Sequence, residues 1–166
     1  QVLQQARHPM VLDADALNIA SEDRSFWGGI KAPCVITPHP GEAARLIDAS
    51  PGEIQSDRLA ALTALQTMTG AITVLKGAGT LVGAAGELPS LCPFGNPGMS
   101  APGMGDVLAG VIGALLAQRL DAATAARIGV LVHALAGDSA ARRGERGLLA
   151  GELLPELRHW LNPRHS

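Results

Sequence analysis

Charge is scarce in this chain. Asp, Glu, Lys and Arg make up 17% of the 166 residues, while 47% are hydrophobic; a typical soluble domain is about 25% charged. The net charge is −2 and no Lys/Arg run occurs. That removes the electrostatic basis for nucleic acid or an anionic membrane as partner. Cysteine is scarce too. Cys34 and Cys92 sit far apart in apolar runs, with no C-x-x-C and no Cys/His spacing suited to a metal. They read as buried free thiols and fit a reducing cytoplasm, the expected location. Long apolar runs are missing as well. The most apolar helical stretch, Val107 to Ala117, falls well short of the about 20 residues that span a bilayer. Internal repeats, low-complexity segments and an interdomain linker are all absent, so one domain is expected.

What is present alternates between short apolar runs and helical periodicity. Met10 to Leu12 reads as a strand that delivers Asp13 and Asp15 to a loop. Cys34 to Thr37 reads as a second strand, closed by Pro38, with helix from Gly41 to Ile47. Ser56 is a good N-cap for a helix with Leu59, Leu62, Leu65 and Met68 at helical spacing. Ala71 to Leu75 predicts a strand, Lys76 to Gly79 a turn, Thr80 to Val82 the returning strand, and Leu88 to Cys92 a further short strand. After a Pro/Gly-rich loop from Pro93 to Gly105, Val107, Leu108, Val111, Ile112, Leu115 and Leu116 form a wide apolar stripe on one helix. Asp121 caps an Ala-rich helix running to about Ala141, and a last helix covers about Leu149 to Leu161. This pattern predicts an α/β fold with a mostly parallel central sheet, its last three helices packed together. Ligands of such folds bind beyond the carboxyl ends of the strands.

Four stretches stand where that rule puts chemistry. In "GNPGMSAPGMGDVLAG", Gly103 and Gly105 let backbone approach a ligand closely, and the helix that follows offers free N–H groups to an anion. Asp106 is then either a helix cap or a general base beside a bound phosphate. "VLKGAGTLV" sets Lys76, Gly77, Ala78, Gly79 and Thr80 between two strands. It is neither a P-loop, since the Lys precedes the glycines, nor a dinucleotide fingerprint, since a strand follows. It is either a plain hairpin turn with an exposed Lys or a ligand loop. "ITPHPGEAARL" stiffens His39 between two prolines, with Glu42 in the first turn of a helix; a ligand contact and an idle loop histidine both fit. "LDADALN" clusters Asp13, Asp15 and Asn18, which either orient a substrate or a Mg²⁺ shell or cap the next helix.

Taken together and in this order, the four stretches resemble the ADP/ATP-dependent NAD(P)H-hydrate dehydratase family of the ribokinase-like superfamily. "HALAGDSAA" from His133 and "RGLLAGELLPEL" from Arg146 fit as well, so the resemblance runs from Met10 to about Leu161. It implies a ribokinase-like fold with helices on both faces of the sheet. Residues 1–166 would form the C-terminal portion of a single nucleotide-binding domain, because "QVLQQARHPMVLDADALN" runs at once into a buried-strand pattern.

The resemblance implies a repair reaction on hydrated NADH or NADPH. The ring hydroxyl is phosphorylated from ADP (or ATP) with Mg²⁺, and phosphate then leaves to restore the ring, releasing AMP. Asp106 would be the catalytic base and touch the substrate hydroxyl. His39, Asp13 and Asn18 would bind substrate, and Lys76, Gly77, Ala78, Gly79, Thr80, Gly103 and Gly105 the nucleotide. Glu42 would hold Mg²⁺ through water. A homo-oligomer, dimer or tetramer, and an NAD(P)H-hydrate epimerase as fused domain or partner are also implied. Two other readings compete: a ribokinase-like kinase of a vitamin precursor, and a nucleotide-binding fragment without turnover.

Overall fold

Five short strands line up in sequence order in one sheet: β1 (Met10–Leu12), β2 (Cys34–Ile36), β3 (Ile72–Leu75), β4 (Thr80–Gly83) and β5 (Ser90–Cys92). The computed structural model describes residues 2–162; the ends of the expected domain, Gln1 and residues 163–166, lie outside the described residues. β1, β2 and β3 pair in parallel, while β3–β4 and β4–β5 pair antiparallel. Four strands therefore point one way and β4 alone runs against them. The parallel pairs are bridged by helical crossovers, as they must be, and the antiparallel β3–β4 pair by the short turn 76–79.

Eight α-helices accompany the sheet among the described residues: α1 (Val2–Gln5), α2 (Asp15–Glu22), α3 (Pro40–Ile47), α4 (Pro51–Ser56), α5 (Arg58–Thr69), α6 (Met104–Ala117), α7 (Ala122–Ala140) and α8 (Leu153–Leu161). Strand alternation sends side chains to two cores. Leu12, Cys34, Ile36, Leu75 and Leu81 pack beneath α2 to α5. Val35, Val74, Val82 and Cys92 face α6 to α8. Both faces are covered, which is why the central strands read as unbroken apolar runs instead of alternating with polar residues. No helix among the described residues is long and apolar enough to cross a membrane.

Local chemistry explains most element boundaries. Asp121 accepts the Thr124 amide at 2.9 Å and starts α7 as expected. Two sequence expectations change around α5. Ser56 does not cap it; Ser56 is the last residue of α4, and the Asp57 carboxylate accepts the Ala60 amide at 2.9 Å. The unexpected helix α4 is started by Pro51 and a capping box between Ser50 and Glu53. Leu59 is exposed, because the face of α5 that meets the core carries Ala61, Leu62, Leu65 and Thr69. Cys34 and Cys92 are buried free thiols, and burial pushes the Cys34 thiol up to about 12.

Candidate active site

The carboxyl ends of the parallel strands deliver three of the expected residues to one place. β1 ends at Leu12, placing Asp13; β2 leads through Thr37 and Pro38 to His39; β3 ends at Leu75, placing Lys76. Lys76 Nζ lies 2.9 Å from Asp13 Oδ1 and 3.7 Å from Glu42 Oε2. All three groups are largely shielded, with side chains 20%, 13% and 6% exposed respectively. Lys76 is therefore not the exposed lysine of a plain hairpin turn. Its charge is held against two carboxylates, and buried charges need such partners.

His39 serves α3 as its cap. Its Nδ1 accepts the Gly41 and Glu42 amides at 2.9 and 3.2 Å, while Glu42 Oε2 accepts the His39 amide at 2.7 Å. With Nδ1 accepting, the neutral ring carries its proton on Nε2, and half of the side chain remains open to solvent. The imidazole is thus fixed in orientation and lines the cleft described below. Asn18 is not brought to that cleft. Its Oδ1 accepts from Arg45 Nε at 3.1 Å, joining α2 to α3.

The turn 76–79 is held from behind by Arg58, at the start of α5. Its guanidinium donates to the carbonyls of Leu75, Gly79 and Lys76 at 3.1 to 3.4 Å. Gly77 has φ 140°, and a Cβ there would come within 2.8 Å of that guanidinium, so this position requires glycine. Arg58 also donates to Gln55 Oε1 at 2.9 Å, and its partners in the turn are backbone carbonyls, which leave no sequence signal.

Facing this turn is the start of α6. Gly103, at φ 85°, is its N-cap, and no side chain caps the helix. Asp106 is therefore not the cap. It stands exposed in the first turn, and its carboxylate has no hydrogen-bond or ion-pair partner among the described residues. The free amides of Met104, Gly105 and Asp106 and the positive end of the helix dipole suit an anion. A Cβ on Gly105 would lie 3.2 Å from Lys76 Nζ and 3.4 Å from Asp13 Oδ2. The helix backbone thus comes up against the Lys76–Asp13 pair.

Between these parts lies a cleft of ≈ 670 Å³, a size suited to a small-molecule ligand. Its walls include His39, the 76–80 turn, Phe94, the loop from Gly95 to Ala101, Gly105 and His133. His133 is buried on α7, and its Nε2 lies 3.0 Å from the Met104 carbonyl. Burial chiefly, and secondarily the nearby Lys76 charge, pull its pKa down to about 4 against the opposing pull of the Met104 bond. Sequence pattern alone assigns His133 no role; its one trace is a histidine inside an otherwise small apolar helix face.

These residues do not build a site for a directly bound Mg²⁺. No group of three His, Cys, Asp or Glu able to hold a metal occurs among the described residues. Glu42 and Asp13 already serve the His39 amide and Lys76.

Comparisons with known proteins bear on the family and the fold. The sequence profile of the NAD(P)H-hydrate dehydratase family matches residues 1–158. The bifunctional NAD(P)H-hydrate repair enzyme Nnr of Coxiella burnetii is 49% identical over 159 residues, which are 93% of this chain and 31% of that protein. The ADP-dependent (S)-NAD(P)H-hydrate dehydratase of Neisseria meningitidis is 44% identical over 161 residues, 94% of this chain and 54% of that one. The ADP/ATP-dependent NAD(P)H-hydrate dehydratase of Bacillus subtilis, co-crystallized with ATP/Mg²⁺, superposes with a TM-score of 0.85 at 28% identity, over 95% of this chain and 55% of that chain. Ribokinase from Cryptococcus neoformans shares the fold at a TM-score of 0.59 and 18% identity, over 91% of this chain and 50% of its own. The chain spans between a third and just over half of the length of the relatives it matches. With the fold ribokinase-like and the family profile covering nearly all of it, the chain belongs to the NAD(P)H-hydrate dehydratase family.

Proposed function

We propose that this chain catalyses the ADP-dependent dehydration of hydrated NADH and NADPH. The observation that carries the reading is the meeting of two backbone elements at one cleft. The 76–80 turn and the amide end of α6 face each other across the Lys76–Asp13 pair; Gly105 lines the cleft, and Asp106, the next residue, has no hydrogen-bond or ion-pair partner among the described residues. A turn of that kind suits the AMP portion of the nucleotide. The α6 amides suit the phosphoryl group in transfer, whose spreading charge needs fixed donors.

In this reading Asp106 takes the proton of the ring hydroxyl as its oxygen attacks the terminal phosphorus of ADP. The bond between that phosphorus and the bridging oxygen breaks, and AMP leaves. The phosphorylated ring carbon then loses phosphate, which leaves far better than hydroxide. The ring nitrogen's lone pair drives that departure, and loss of a proton from the neighbouring ring carbon restores the double bond. His39 lines the cleft that the dinucleotide would occupy, and Asp13 would act by holding Lys76 at its edge. Asn18, tied to Arg45, would act by holding α2 against α3. Mg²⁺ would arrive as the counter-ion of the nucleotide phosphates, with Glu42 acting through water.

The donor preference rests on the Neisseria relative, which is ADP-dependent. The Coxiella relative is bifunctional, which supports an NAD(P)H-hydrate epimerase as fused domain or partner. A reducing, cytoplasmic setting accords with the buried free thiols, and a homo-oligomer belongs to the same reading.

Product analysis tests it. The chain, hydrated NADH, Mg²⁺ and ADP should give NADH, AMP and phosphate in equal amounts, read by absorbance at 340 nm and by chromatography. A stable phosphorylated product without NADH would make it a kinase. Nucleotide binding without any product would make it a non-catalytic module.

A further inference from the structure

Resting on that reading of the α6 turn, we propose that His133, Gly137 and Asp138 are positioning residues. They clamp the loop from Gly95 to Met104 on α7 and so set the placement of Gly105 and Asp106. His133 and Gly137, four residues apart, share one face of α7, and Asp138, the next residue, stands at the edge of that face. Each meets a different part of the loop. At its start, Asp138 Oδ2 accepts the Gly95 amide at 3.0 Å and Oδ1 accepts Asn96 Nδ2 at 2.9 Å. In its middle, Met99 lies so close over Gly137 that a Cβ there would collide with the thioether sulfur. At its end, the His133 ring meets the carbonyl of Met104, the first residue of α6. A carbonyl can only accept, so Nε2 carries the proton and points it at the helix start.

These contacts fall on a segment that has no strand or α-helix of its own. Residues 93–103 hold only a single 3₁₀ turn, Pro97–Ser100. Gly103, at φ 85°, makes the turn into α6 without strain but adds no side chain to hold it, so the placement of the turn rests on contacts from α7. The bonds to the Asp138 carboxylate are charge-assisted, the stronger kind. α7 reaches under both ends of the loop, and the short stretch from Met104 to Asp106 inherits its placement from His133.

Hydrogen exchange of the chain tests the clamp without reference to turnover. We compare wild type with Asp138→Ala, His133→Leu, His133→Gln and Val132→Ala. Val132 is a buried α7 core residue outside the cleft and serves as the control for destabilisation alone. The hydrogen-bonded amides of Gly95, Gly98, Met99, Ala101 and Val107 should exchange about tenfold faster or more in Asp138→Ala and His133→Leu. They should stay close to wild type in Val132→Ala at a matched loss of Tm, and in His133→Gln, whose amide can still donate to the Met104 carbonyl. Equal loop exchange in Asp138→Ala and Val132→Ala would overturn the clamp. If the chain turns over, kcat should fall about 10²-fold in Asp138→Ala with KM for ADP changed far less, since misplacement of the reacting turn is what is lost. A fall in kcat no larger than that of Val132→Ala would also overturn it. Absence of turnover in wild type would sink the dehydratase reading and leave the exchange result to decide the clamp.

Discussion

Gly105 and Lys76 are in near contact: the place where a Gly105 Cβ would stand is 3.2 Å from Lys76 Nζ. A methyl group there would push the ammonium back by a few tenths of an ångström and would touch the Asp13 carboxylate at 3.4 Å. Gly105→Ala therefore separates stability from function. In the first turn of a helix, alanine is favoured over glycine by up to about 1 kcal/mol. Tm should hold or rise, while ADP binding weakens about tenfold because Lys76 is pushed off its position. Calorimetric titration with ADP alongside thermal unfolding checks both. Unchanged ADP affinity would show that this close approach is mere packing.

Lys76 is the shared counter-charge of Asp13 and Glu42. Lys76→Met leaves two shielded carboxylates without it, which should cost about 1–3 kcal/mol in denaturant unfolding. Adding Asp13→Asn should recover part of that loss, giving a favourable coupling in a double-mutant cycle. Additive losses would mean that the 2.9 Å pair contributes nothing on its own.

Ala14 sits between Asp13 and the start of α2 with φ 49° and ψ −117°, a conformation costly for any residue with a Cβ. It is the N-cap of α2 and stands directly after Asp13. Ala14→Gly should raise stability by about 1 kcal/mol, the relieved strain exceeding the entropy that glycine adds to the unfolded chain. A lower Tm in Ala14→Gly would contradict this.

Burial holds the His133 imidazole neutral, with its pKa lowered to about 4 from the model-compound value of 6.5. The unfolded chain therefore binds a proton that the folded chain refuses between these two values. Its contribution to stability is full above pH 6.5 and is lost as pH falls toward about 4, amounting to a few kcal/mol, on the order of 3. The slope of unfolding free energy against pH in this window should be shallower in His133→Gln by about one proton. An identical slope in both proteins would place the acid sensitivity elsewhere.

The fold was legible wherever one periodicity acted over enough residues. β1 to β4 and helices α3, α6 and α7 lie within a residue or two of where apolar spacing and caps put them. The short α4 was not legible, because a six-residue helix carries too little periodicity, and its capping box overlaps the Pro/Gly signature of a turn. For the same reason Ser56 looked like a cap, although the Asp57 carboxylate beside it reaches the amide. At the site, glycine spacing marked the 76–80 turn and the start of α6, since backbone approach leaves a trace in residue type. The supports of those elements left little trace. Arg58 bonds to carbonyls that any residue could supply, and Asp138 bonds to an amide 43 residues away. Such partners are set by tertiary packing and not by local pattern.

The central claim is that Asp106, exposed in the first turn of α6 and without a side-chain partner among the described residues, works as the base. The most direct measurement is the rise at 340 nm from hydrated NADH, ADP and Mg²⁺ in wild type and Asp106→Asn, with ADP affinity measured on both. The account predicts a loss of at least about 10²-fold in rate on Asp106→Asn, with ADP affinity within a few fold and Tm unchanged. A variant that turns over at the wild-type rate would contradict it.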